Sequence, residues 1–221
     1  MADWEAHVER ERERYRDGES RLGDLGEADA RQRQLTRLGN AAYGAGLALL
    51  MSGRGDEAAE WLGRAAGRYR ESFAAAPPGS WGRPIGALKA RVLADDWEAA
   101  AEEARWALDA GAAEDESPIG RYAAALALLA LGEDKEARVH ADAIRTRDDF
   151  PEQVGDAVAM IAAGTDAVGY VEAIENVLDS FERRDEYLED VPVADTVLVL
   201  RALAERRGLH AELDSPLLPP A

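Results

Sequence analysis

The sequence predicts an all-α protein of about ten helices, arranged as stacked antiparallel helical hairpins. Apolar residues recur at three- and four-residue intervals along most of the chain, whereas runs that alternate between apolar and polar residues, as in a half-buried strand, are few. Glycines, prolines and paired aspartates fall between these periodic segments, where helices are expected to end. No sheet is therefore expected.

The predicted helices follow one another with short junctions. The clearest has an apolar stripe of Val171, Ile174, Leu178 and Phe181. Another ends before Gly111, a residue suited to a helix C-cap. Continued along the chain, the pattern predicts helices over 2–21, 27–52, 56–73, 83–94, 97–110, 118–131, 134–147, 151–163, 166–183 and 191–207. The proline-rich stretch 211–221 is predicted to be an extended tail.

Charge and cysteine content exclude several classes of function. The net charge of -18, from 44 acidic and 26 basic residues, repels nucleic acid and anionic membranes. The absence of cysteine excludes disulfides, zinc-thiolate sites and thiol nucleophiles, and it favours the cytoplasm. The longest apolar stretch, 41–51, has about half the roughly 20 residues of a membrane-spanning helix. The charged N-terminal segment 1–16 lacks the apolar run of a secretory signal, so a cytoplasmic protein is expected.

The acidity has two explanations that do not involve a partner. Lys89 and Lys135 are the only lysines, and Arg, Ala, Gly and Asp are abundant, which is similar to proteins of halophilic organisms. Short carboxylates retain water and counter-ions in strong salt, which also screens their mutual repulsion. The alternative is a GC-rich genome that favours Arg and Ala codons.

Three junctions resemble one another, over 53–58, 95–100 and 132–137, because each places an alanine five residues after the first turn residue. The hairpin with Gly46, Gly53, Ala58 and Leu62 fits best, and it resembles the tetratricopeptide repeat, which needs small residues where two helices cross. The resemblance covers about 36–182 and implies a right-handed α-solenoid. The chain departs from the repeat at Ala42, Arg70 and in its uneven junction spacing.

The resemblance to helical repeats predicts a single helical-repeat domain over 1–210. It divides into an N-terminal helix region 1–26, hairpin repeats 27–183 and a capping helix 191–207.

Chemical motifs are missing, so no catalytic residue, metal ligand or cofactor is predicted and an enzyme is not expected. His7, His140 and His210 each lack a second histidine at helical spacing, and phosphate-binding loops and Gly-x-Ser-x-Gly are absent. The acidic pairs fall mostly at predicted helix ends, where carboxylates cap free N–H groups.

A binding face is predicted from the repeat register. Aromatic residues and arginine often contribute most of the binding energy at protein interfaces. The repeat register places a set of such residues, together with Asn40 and Lys89, on an inner surface. The set is Asn40, Tyr43, Lys89, Arg121 and Tyr122, with Trp81 near the mouth. The alternative for each residue is ordinary core packing.

The C-terminal third carries a second resemblance. An alanine-rich helix over 195–207 is followed by Gly208-Leu209 and by Ser215-Pro216-Leu217-Leu218-Pro219. This end resembles the family called immunity protein 49, which implies neutralisation of a cognate toxin.

Three function classes stay open at this point. The first is a helical-repeat scaffold or adaptor that binds a protein or peptide, and the second is a toxin-neutralising immunity protein. The third is an enzyme or small-ligand protein with a site between helices.

Overall fold

The computed structural model describes residues 3–220, so Met1, Ala2 and Ala221 lie outside the description. Within the described residues the chain forms ten α-helices, a 3-10 turn over Leu188–Asp190 and no strand, which confirms the all-α prediction. The helices are α1 Trp4–Leu22, α2 Ala28–Met51, α3 Gly55–Phe73, α4 Gly82–Leu93, α5 Trp97–Asp109, α6 Pro118–Leu131, α7 Asp134–Arg145, α8 Glu152–Ala163, α9 Ala167–Glu182 and α10 Asp195–Glu205.

The observed helix ends fall close to the predicted ones, with one clear difference. The last helix was predicted over 191–207 but begins at Asp195, because the 3-10 turn and a non-helical stretch precede it. The first was predicted over 2–21, of which Ala2 lies outside the described residues. The predicted tail is non-helical, yet Leu217 and Leu218 are 9% and 5% exposed, so this part of the tail is packed.

The chain divides into two compact units, whereas the sequence predicts one domain over 1–210. The first unit comprises Met1–Asp96, Asp185–Val193 and Pro216–Ala221, and the second comprises Trp97–Arg184 and Ala194–Ser215. In the first unit α1 packs on α2, α2 on α3, and α3 on α4. Each pair is consecutive in the chain, as expected for stacked hairpins.

Small residues allow the helices of the first unit to approach closely. A Cβ added at Gly46 would lie 2.6 Å from the Cγ of Leu62, and Ala58 is fully buried beside the same crossing. The ring of Tyr69 fits between Gly39 and Gly86, where added Cβ atoms would each lie 2.8 Å from the ring. Larger residues at these glycines would force the helices apart.

The second unit repeats this sequential packing from α5 to α9, and α10 packs on α8 and α9. Local sequence defines both ends of α6. The Ser117 hydroxyl accepts a hydrogen bond from the N–H of Gly120, and Pro118 is the first residue of α6, where a missing N–H has no cost. Gly132 ends α6 in the left-handed conformation with φ 79°. The start of α6 is thereby fixed, and it forms part of the site described below.

Candidate functional site

Four of the six predicted binding residues lie in the first unit, and their side chains are largely enclosed. Tyr43 is 2% exposed, and its ring centroid lies 6.4 Å from that of Tyr69. Asn40 is half-buried, and its Oδ1 accepts a 2.9 Å hydrogen bond from the Tyr69 hydroxyl. Trp81 and Lys89 are 5% and 9% exposed. The structure thus brings Asn40 and Tyr43 together around Tyr69, inside the unit.

The other two predicted residues lie in the second unit, next to each other in α6. Arg121 is half-buried, and its charge adds to the effect of burial in lowering the pKa of His140. Tyr122 is 6% exposed, and its ring centroid lies 5.3 Å from that of Phe150. The three aromatic residues Tyr43, Trp81 and Tyr122 are thus strongly buried, as the alternative of core packing expects. Whether any of the six residues takes part in binding stays a prediction.

Tyr122 lines an open and mainly apolar pocket of about 410 Å³ in the second unit. The pocket lies where the first turn of α6, the turn between α7 and α8, and the starts of α8 and α10 meet. Its wall is formed by Pro118, Ile119, Tyr122, Phe150, Pro151 and Val154, and its polar rim by Asp149, Arg184 and Thr196. This volume and lining are typical of sites that bind small ligands or anchoring side chains.

Local sequence explains why these apolar groups reach the surface. Pro118, Ile119 and Tyr122 share one side of α6, because Tyr122 follows Pro118 by four residues and Ile119 by three, and such residues lie on the same face of a helix. Phe150 precedes Pro151, a position that favours extended backbone, so α8 cannot begin before this pair. The apolar dipeptide is consequently held in a turn between acidic residues.

Several wall residues are accessible from outside. Ile119 is 40% exposed, Phe150 is half-buried and Pro151 is exposed. Other exposed apolar side chains in this unit, Val139 at 65% and Val168 at 79%, do not line the pocket. A contiguous apolar surface with a polar rim marks a binding site more clearly than a single exposed valine does.

The Tyr122 hydroxyl is buried and has no hydrogen-bond partner among the described residues. Burial is the main cause that raises its pKa, and the nearby carboxylate of Asp195 raises it further. The hydroxyl therefore stays protonated at neutral pH and cannot act as a base. A buried hydroxyl without an acceptor is unusual in proteins, because hydration is lost and nothing replaces it.

Arg184 provides a cationic group at the rim of the pocket. Its guanidinium carbon lies 3.7 Å from the ring centroid of Phe181, which is a stacking contact. Among residues 3–220 no carboxylate forms an ion pair with it. The neighbouring Arg183, in contrast, pairs with Asp179 at 3.0 Å.

Two polar pockets, of about 370 and 360 Å³, lie around the start of α8. The first is lined by Arg145, Thr146, Arg147, Asp148, Phe150 and Glu152, and the second by Glu152, Gln153, Asp156, Asn176, Asp179, Ser180 and Arg183. Their arginines are already paired with carboxylates: Arg145 with Asp156 at 2.5 Å and Arg147 with Asp149 at 2.9 Å. Of the arginines lining these three pockets, Arg184 is thus the one left without a carboxylate.

A cluster of charges around Glu11 lies in the first unit. Glu11 is fully buried, and burial raises its pKa although Arg10 and Arg14 contact its carboxylate. The carbonyl of Glu189 accepts a 2.6 Å hydrogen bond from Arg10, and its carboxylate pairs with Arg14. Glu189 and Asp190 have φ values of 55° and 54°, which are costly for residues with a side chain. Because Glu11 is enclosed, the cluster is best explained as holding the 3-10 turn in place.

In the part of the chain that the structure describes, no group of three or more His, Asp or Glu side chains is arranged to hold a metal ion. None of the helices within residues 3–220 has both the length and the apolar character needed to cross a membrane.

The sequence prediction included only Tyr122 of the pocket residues. The signal that could have found the others is the Phe150-Pro151 pair, because two bulky apolar residues stand there in a turn flanked by Asp149 and Glu152. Ile119, directly after the capping residues of α6, gives a similar signal.

Comparisons of the chain with models of known families, with curated proteins and with solved structures find no match. The resemblances to the tetratricopeptide repeat and to the immunity protein therefore stay predictions.

Proposed function

We propose that the protein binds another protein through the apolar pocket of its second unit and catalyses no reaction. The observation that carries this proposal is a contiguous apolar wall, formed by α6, the turn between α7 and α8, and the start of α8, that stays accessible on an otherwise acidic chain. Protein interfaces commonly consist of an apolar anchor seated in a pocket and surrounded by a polar rim. The expected occupant is an apolar side chain of the partner.

The energy that such an anchor supplies is limited but measurable. Complete burial of a Leu, Ile or Phe side chain contributes about 1.5–3 kcal/mol. This corresponds to a change of about 10- to 150-fold in the dissociation constant. The pocket therefore serves as the centre of a larger contact, in which one substitution at the wall has a large effect on affinity.

Catalysis is disfavoured by the groups around the pocket. Asp149 is paired with Arg147, and the raised pKa of Tyr122 keeps its hydroxyl protonated. Neither group is placed to act as a free base near neutral pH. We place the binding function in the cytoplasm, as the cysteine-free sequence predicts. A toxin-neutralising role belongs to the same class of function and differs only in the partner.

A second candidate function, the binding of a small ligand, is favoured by the volume of the pocket. The value of about 410 Å³ falls within the range of small-molecule sites. Titration of the protein with apolar small molecules, followed at Ile119, distinguishes this function from binding of a protein.

The experiment compares two glutamate substitutions at exposed apolar residues. A partner captured from native lysate is titrated against the wild-type protein, Ile119→Glu at the pocket and Val168→Glu away from it. Ile119→Glu is expected to weaken binding by about 10-fold or more, because it places a charge against the anchor. Val168→Glu adds the same charge and is expected to leave the affinity within about two-fold, since single surface changes have small effects.

Circular dichroism of both variants controls for loss of fold. Affinity that survives Ile119→Glu but is lost in Val168→Glu would place the interface elsewhere. Turnover of a small substrate that depends on the pocket would overturn the non-enzymatic assignment.

A further inference from the structure

We infer that the partner segment seated in this pocket carries a carboxylate beside its apolar anchor, and that Arg184 pairs with that carboxylate. The inference rests on the proposed function, because it concerns the same pocket. It specifies the charge that the partner carries at the rim of the pocket, which the apolar wall alone does not determine.

The geometry of Arg184 suits this role. Its guanidinium stacks on Phe181 at 3.7 Å, which restricts its motion, while the side chain is exposed at the rim. Stacking leaves the N–H groups around the guanidinium edge available. A planar guanidinium donates two parallel hydrogen bonds to a carboxylate, an arrangement that lysine cannot form.

Arg184 differs from the other arginines near the pocket, which have carboxylate partners. The nearby Arg145, Arg147 and Arg183 are each paired with an aspartate at 2.5–3.0 Å. The chain has 44 acidic residues for 26 basic ones, so carboxylates are in excess. An arginine left without one at the rim of an apolar pocket is available for a carboxylate from outside.

The carboxylate at the rim of the pocket, Asp149, already has a partner. The protonated hydroxyl of Tyr122 is a donor without an acceptor, whereas the Asp149 carboxylate already accepts from Arg147. An ammonium group on the partner would therefore meet a rim carboxylate, Asp149, that is already paired. Because the Tyr122 hydroxyl is covered, Arg184 is the residue assigned to the carboxylate.

The net charge of the protein allows specific pairing at Arg184 to be distinguished from non-specific attraction. A net charge of -18 attracts basic peptides and repels acidic ones. Long-range attraction alone therefore predicts that a lysine-flanked segment binds best. Specific pairing at Arg184 predicts the opposite order.

The test uses three synthetic peptides with a central leucine flanked on both sides by Glu, by Gln or by Lys, in an otherwise Gly/Ser sequence. Binding is followed through the NMR methyl signals of Ile119 at an ionic strength of about 0.15 M, where long-range fields are screened. The Glu peptide is expected to bind about two- to five-fold tighter than the Gln peptide, as for an exposed ion pair.

Two variants identify the residue responsible. Arg184→Gln is expected to abolish the preference for Glu over Gln, whereas Arg183→Gln, which alters the adjacent exposed arginine, is expected to retain it. Both sites are exposed, and circular dichroism verifies that the fold is unchanged.

The outcomes separate this inference from the proposed function. Tightest binding of the Lys peptide, or a preference for Glu that survives Arg184→Gln, would overturn the role of Arg184 while leaving the pocket as the binding site. If none of the peptides shifts the Ile119 signals at millimolar concentration, both the pocket and the carboxylate are contradicted.

Discussion

Replacing Gly46 by alanine tests the close crossing of α2 and α3. The added Cβ would lie 2.6 Å from Cγ and 2.8 Å from Cδ2 of Leu62, a residue that is itself fully buried. Alanine gains about 1 kcal/mol over glycine in a helix interior. Overpacking of a closed core costs about 1–3 kcal/mol. Because Leu62 is fully buried and would have to shift, the upper part of that range, about 2–3 kcal/mol, is expected, and the loss then exceeds the gain by about 1–2 kcal/mol.

Gly67→Ala is the matched control. Gly67 lies in α3 of the same hairpin, and a Cβ added there would meet nothing within 4 Å. The variant keeps the helix-propensity gain without the overlap, so it is expected to stabilise by about 0.5–1 kcal/mol. The two substitutions are chemically identical and should have effects of opposite sign.

Thermal unfolding followed by circular dichroism measures both effects. For a chain of this size 1 kcal/mol corresponds to about 2–4 °C in Tm. Gly46→Ala is therefore expected to lower Tm by about 2–8 °C and Gly67→Ala to raise it by about 1–4 °C. Equal stabilisation by both variants would refute the close α2–α3 crossing.

Three further predictions concern charge and burial. Hydrogen bonds from Arg54 and then Arg12 lower the pKa of Glu57 from 4.5 to about 2, so its stabilising effect is present above pH 4.5 and is lost as the pH falls toward 2. Acid titrations of Tm should accordingly show a shallower decline for Glu57→Gln than for wild type, and identical curves would contradict the pairing. Strong salt should raise Tm because it screens repulsion among 18 excess negative charges, whereas an unchanged Tm in molar salt would count against the halophilic interpretation. Tyr122→Phe should leave stability unchanged or raise it by about 1 kcal/mol, because the removed hydroxyl has no partner, and a clear loss on denaturant unfolding would reveal an acceptor.

Helix positions were predictable from sequence because the signals that define them are local. The apolar stripe of α9 and the left-handed glycines at 53, 132 and 164 act over a few residues. The start of α10 was missed for the opposite reason. Val191, Val193 and Ala194 are buried and apolar like helix residues, but the preceding turn is held by Arg10 and Arg14 of the distant α1.

The candidate site was less predictable than the fold. Tyrosine and tryptophan are enriched at interfaces and also pack well inside proteins. Residue type alone therefore could not distinguish an interface position from the buried positions that Tyr43, Trp81 and Tyr122 occupy. The pocket depends on how α6, the start of α8 with the turn before it, and the start of α10 pack together. Residue spacing within one helix contains no information about that packing. What the sequence did contain was the apolar Phe150-Pro151 pair in an acidic turn.

The most direct test of the pocket as the binding surface is an NMR map of the methyl groups with and without the captured partner. The pocket predicts the largest changes at Ile119 and Val154, which line it. Val139 and Val168 are more exposed than Ile119 but lie outside the pocket, so their signals should change little. Changes concentrated at Val139 or Val168, with Ile119 and Val154 unaffected, would contradict the assignment of the site.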